Sequence, residues 1–161
     1  MEGSHLRTWL AGIAEKEKAM RTILIALLMT LATQVQGHHE LANRNLENGY
    51  SNYQEYCASC HGVNLEGQAN WRSRNQDGTL PAPPHDETGH TWHHETEMLF
   101  EYTKLGGQVT LEAVGVKNFT SGMPAFGDVL TDEQIWEVLS YIRSTWPQHI
   151  QDAHATRHPR P

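Results

Sequence analysis

The sequence predicts an all-α chain. Apolar residues recur at helical spacing near both ends of the central segment, and no run reads as a strand. A third observation is the pentad Cys57-Ala58-Ser59-Cys60-His61, which uses both cysteines of the chain and closes a helix pattern on a histidine.

The chain is 161 residues long, enough for one small domain plus processing segments. Residues 1–19 form a mixed-charge extension (Glu15, Lys16, Glu17, Lys18) ahead of Met20, the expected natural start. Residues 20–37 read as a secretory signal. Met20-Arg21 gives a positive start, Ile23 to Ala32 is apolar apart from Thr30, and Val35-Gln36-Gly37 offers compact residues for cleavage. The apolar run falls short of the ~20 residues of a comfortable membrane span, so no span is expected in the mature chain and an uncleaved anchor is the alternative. The formal charge is −7 over the full chain, and with no basic cluster this excludes a nucleic-acid binder.

The expected domain runs over 38–147. After a polar lead-in to Arg44, a helix pattern follows, capped by Asn45 or Asn48, with Leu46, Gly49, Tyr53 and Tyr56 on one face. Gly49 costs ~1 kcal/mol relative to Ala inside a helix, which points to a close backbone approach. Gly62 to Gly89 is rich in Gly, Pro, Asn and Asp and reads as loop, stiffened by Pro81, Pro83 and Pro84. Trp71 is its most apolar side chain, expected to pack against or cover a cofactor. A second helix is expected from His90 or Thr91 through Leu105, stopped by Gly106-Gly107. Residues 108–122 are mixed and end in a turn. The last helix opens on Thr131-Asp132-Glu133-Gln134, a capping box, and carries the stripe Ile135, Val138, Leu139 and Ile142 as far as Pro147. Residues 148–161 are polar and rich in His, Arg and Pro, and read as a disordered tail.

Cys-x-x-Cys-His is the attachment pattern of a c-type haem. Two thiols three positions apart share one side of a helix end and can each add to a haem vinyl group, and the next residue carries an imidazole toward the iron. Zinc is one alternative, with ligands drawn from the eleven histidines. A redox dithiol is another, although no βαβ pattern surrounds the motif. A haem would also add core to a chain with only 38% hydrophobic residues. For the second axial position, Met123 lies in a Gly-Met-Pro turn that can present a soft sulfur, whereas Met98 sits within a helix and reads as core.

With these residues in place, the chain resembles the class I cytochromes c over roughly residues 45–146. Gly49, Tyr53 and Cys57 fall at four-residue steps, as in the family's first helix. Cys57 to Gly62 matches its haem motif, Gly122-Met123-Pro124-Ala125-Phe126 is similar to its distal-ligand loop, and Leu130 to Ile142 is similar to its closing helix. The resemblance implies a cytochrome c fold, about four helices around one covalent haem c, with Cys57 and Cys60 as attachment points. It implies His61 and Met123 as axial ligands, Gly49 at the crossing of the first and last helices, and Tyr53 against Val138 or Tyr141. It also implies a loop proline whose carbonyl accepts the Nδ1–H of His61, a role for which Pro81 opens the candidates. Trp71, Pro81, Trp92, Pro124 and Phe126 are the expected haem surroundings. The subtype is similar to periplasmic monohaem cytochromes related to subunits of haem–copper oxidases.

His85, His90, His93 and His94 cluster around Trp92 and read as hydrogen-bond partners of haem propionates or of each other, as a copper or zinc site, or as exposed surface. The expected function is transfer of one electron, with no catalytic residue, between redox partner proteins such as a respiratory oxidase or dehydrogenase. The alternatives are a haem protein whose displaceable Met123 admits small ligands or peroxide, with Arg72 or Arg74 assisting, and a metal-binding module using the histidines.

Overall fold

The computed structural model describes residues 40–157; the expected extension and signal, His38, His39 and residues 158–161 lie outside them. The described residues are all-helical, with six α-helices, one 3-10 turn and an isolated parallel bridge between Thr79 and Thr120.

Helix α1 spans Leu46–Tyr56. Of the two cap candidates the structure uses Asn45, whose side-chain oxygen accepts from the backbone N–H groups of Glu47 and Asn48, both at 3.1 Å. Cys57 still donates its backbone N–H to Tyr53 at 2.9 Å, then turns the chain into the single-turn helix α2, Ala58–His61. Gly62 ends that turn at φ +84°, a conformation that favours glycine.

After the long loop, Thr91–His93 forms the 3-10 turn, and α3 begins only at Thr96 and runs to Leu105. One helix from residue 90 or 91 is therefore corrected to two pieces. His94 and Glu95 adopt extended backbone between them, and the His94 carbonyl accepts from His154 at 3.1 Å instead of serving a helix. The mixed stretch after Gly106 also contains a short helix, α4, Gly107–Ala113. Its Thr110 hydroxyl lies 3.1 Å from the carbonyls of both Glu101 and Gly106, which docks α4 on the end of α3.

Helix α5 spans Asp132–Ser144, and its capping box forms as expected: Thr131 Oγ1 accepts from Gln134 N–H while the Gln134 side chain accepts from Thr131 N–H at 2.9 Å. It crosses α1 at Gly49, where a Cβ would lie 2.2 Å from the Glu137 carbonyl oxygen, so only glycine allows this approach. Tyr53 lies against Tyr141, ring centroids 5.5 Å apart, and shares a core with Val138, Ile142, Cys57, Ala58, Leu65 and Trp146. A second core joins Leu41, Phe100, Leu130, Ile135 and Leu139, with Trp136 stacked on Phe100 at 4.2 Å.

The disordered tail expected from Gln148 is overturned as far as Arg157. Helix α6, Gln148–Arg157, follows Pro147 and buries His154 completely. Its sequence has no apolar stripe: Ile150 alone packs on the core as an aliphatic residue, and the other contacts that hold it are polar and aromatic. His154 meets the Trp146 ring edge-on at 5.4 Å, and Arg157 lies over Trp92 at 5.2 Å.

Candidate functional site

The single turn α2 brings Cys57 and His61 inward and leaves Cys60 exposed. The two thiols are free rather than joined. Burial, and next to it Cys60, pushes the Cys57 thiol up to about 12.

His61 is 6% exposed, and its Nδ1 lies 2.9 Å from the Pro83 carbonyl oxygen. A carbonyl can only accept, so Nδ1 carries the proton and Nε2 keeps its lone pair for a metal. Burial lowers the His61 pKa against the opposing pull of that hydrogen bond, which favours the neutral, ligating form. The supporting proline is thus Pro83, not Pro81.

The loop is built to deliver that carbonyl. Gly67 N–H reaches back to the His61 carbonyl at 2.7 Å, Gln68 N–H bonds the Ala82 carbonyl at 2.8 Å, and His85 N–H bonds the Leu65 carbonyl at 2.8 Å. Gly67 has φ +67°, and a Cβ there would lie 2.4 Å from Pro84 N, so the two arms of the loop touch backbone to backbone. Sequence reasoning grouped His85 with the histidines around Trp92 and missed its place beside His61. His85 stacks on it at 4.0 Å between centroids and 23° between planes, with His85 Nδ1 2.8 Å from Thr91 Oγ1. Its place two residues beyond Pro83 was the available signal.

The remaining expected residues fall into three groups. Trp71 stacks on His90 at 5.2 Å and 6°, with the Arg72 guanidinium 4.0 Å from its ring centroid. Trp92 lies against His93 at 3.8 Å. Met123, Pro124 and Phe126 form a loop hung on the junction of α3 and α4. The Met123 carbonyl accepts from Gly107 N–H at 3.1 Å, Met123 N–H donates to Ser121 Oγ at 3.2 Å, and Phe126 N–H bonds the Thr103 carbonyl at 3.0 Å. Phe126 also meets Tyr56, next to Cys57, at 6.5 Å.

These residues fit a covalent haem. Free thiols and a neutral imidazole stand at the required spacing. Trp92 Nε1–H, a donor only, is buried without a hydrogen-bond partner, and so is His90 Nδ1. An unmet buried polar group costs about 1–3 kcal/mol, and a haem carboxylate would satisfy such atoms. Among the described residues no group of three or more His, Cys, Asp or Glu side chains is arranged to hold a metal ion, so neither a zinc site at the motif nor a copper site at the histidine cluster is assembled there. Of the two arginines, Arg72 lies on Trp71, whereas Arg74 lies 5.1 Å over Phe119 and bonds the Gly78 carbonyl at 2.6 Å.

No match was found among curated proteins, and none among solved structures. Residues 44–142 match the family model described as cytochrome C oxidase, cbb3-type, subunit III. That span holds α1 to most of α5, with the haem motif, the Pro83 loop and the Met123 loop inside it. The chain therefore belongs to this family of class I monohaem c-type cytochrome domains, which bind haem and transfer electrons.

Proposed function

We propose that the protein is an exported, periplasmic carrier of single electrons, holding one haem c through Cys57 and Cys60, with His61 and Met123 as axial ligands. The observation that carries the reading is the buried, neutral His61 imidazole, its Nδ1–H held by the Pro83 carbonyl at 2.9 Å. When bound, the haem supplies the Fe(II)/Fe(III) couple. The chain fixes the His61 tautomer and screens that face of the site from water. Hydrogen bonds of the Met123 backbone with Gly107 and Ser121 hold the Met123 loop, whose thioether would serve as the second axial ligand. A neutral thioether favours Fe(II), consistent with a carrier of raised potential. Trp92 and His90 serve as hydrogen-bond partners for haem carboxylates. The family's name points to an oxidase as the redox partner, and the acidic surface would steer the chain toward a basic docking patch.

Absorption spectra of the protein exported with haem-attachment machinery test this reading. Low-spin spectra with a weak sulfur-to-iron band, unchanged by carbon monoxide and lost in Met123→Ala, are expected. High-spin iron that takes up carbon monoxide in the unmutated protein would overturn methionine ligation and favour small-ligand binding.

A further inference from the structure

We infer that His85 is a positioning residue that sets the plane of the His61 imidazole through ring stacking, and so tunes the electronic state of the iron. The inference rests on the reading of His61 as an iron ligand. A hydrogen bond from Nδ1 to the Pro83 carbonyl fixes one atom of the His61 ring and still lets the ring pivot about it. A flat ring lying 4.0 Å away and 23° from parallel restrains that remaining freedom. An aliphatic side chain of similar volume would fill the space without choosing a plane.

His85 is itself held from every side, as a restraining group must be. Its backbone N–H bonds the Leu65 carbonyl at 2.8 Å, and its carbonyl accepts from Trp146 Nε1 at 2.7 Å. Its Nδ1 pairs with Thr91 Oγ1 at 2.8 Å, and the Tyr53 ring meets it edge-on at 6.3 Å. These partners come from the haem-motif loop, the 3-10 turn, α1 and the segment following α5. The plane of His61 is thereby referred to the whole domain rather than to its own loop.

The experiment compares the holoprotein with His85→Leu, His85→Phe and Thr91→Val, reading the haem-methyl proton shifts of the oxidised form by NMR alongside thermal stability. Those shifts respond to the orientation of the axial imidazole. His85→Leu should change their order or spread most, whereas His85→Phe, which keeps a flat ring but loses the hydrogen bond to Thr91, should move the pattern no further than Thr91→Val does. Thr91→Val, which removes only the anchor of His85, should move the pattern in the direction of His85→Leu by a smaller amount. A lower melting temperature with an unchanged methyl pattern in His85→Leu would show a packing role alone and overturn the inference. If that variant does not accumulate, an unchanged pattern in Thr91→Val overturns it. Loss of the His61 ligation reading would be seen separately, as an unmutated holoprotein without low-spin, imidazole-bound iron.

Discussion

Tyr53 has no exposed surface, and its hydroxyl donates to the Gly62 carbonyl at 2.9 Å, one residue past His61. Burial, assisted by the nearby Cys57, pushes its phenol well above the usual tyrosine range, so it remains a donor at any pH the protein meets. Tyr53→Phe keeps the ring against Tyr141 and strands the carbonyl. A loss of about 1–2 kcal/mol is expected, measurable as a lower guanidinium midpoint of the holoprotein with the haem still attached. At this scale the sequence was only partly legible. Cys57, Cys60 and His61 declare themselves by spacing, since attachment chemistry is local. The partner of His61 does not, because Pro81, Pro83 and Pro84 look equivalent in one dimension. The choice of Pro83 depends on Gly67 letting the far arm of the loop approach, a contact between residues sixteen positions apart.

Among the elements, α1 and α5 meet through one glycine, and two substitutions separate a crossing from a cap. Gly49→Ala would place a Cβ 2.2 Å from the Glu137 carbonyl, an atom of helix backbone that cannot step aside alone. Overpacking of this kind costs on the order of 3 kcal/mol. Thr131→Ala removes the capping box from α5 and costs about 1 kcal/mol, because the exposed helix end can turn to water. Denaturant titrations of the two variants should differ accordingly, with Gly49→Ala the more damaged. Both features were readable beforehand, the box because its partners are three residues apart and the glycine because it is penalised where it stands. The split between the 3-10 turn and α3 was not readable. It arises because the His94 carbonyl is taken by His154, sixty residues later.

For the molecule as a whole, α6 is an addition beyond residue 142, where the family match ends. It covers the side of the domain that carries the histidine cluster. His154 reaches the His94 carbonyl at 3.1 Å, Arg157 lies over Trp92 and 3.1 Å from His93 Nδ1, and Gln151 closes on the Trp146 carbonyl at 2.9 Å. None of these contacts needs an apolar stripe, which is why a polar, His-rich sequence reads as a tail and folds as a helix. The haem motif, the Pro83 loop and the Met123 loop make their own hydrogen bonds without it. A chain ending at Pro147 should therefore attach haem and keep the absorption spectrum of the longer protein. Losing a buried hydrogen bond and a cation–π contact should lower its stability by about 2 kcal/mol. Thermal melts followed at the haem band would show this as an earlier transition with an unchanged starting spectrum. A spectrum altered at the outset would instead make α6 part of the haem site, acting through Trp92, the residue that Arg157 covers.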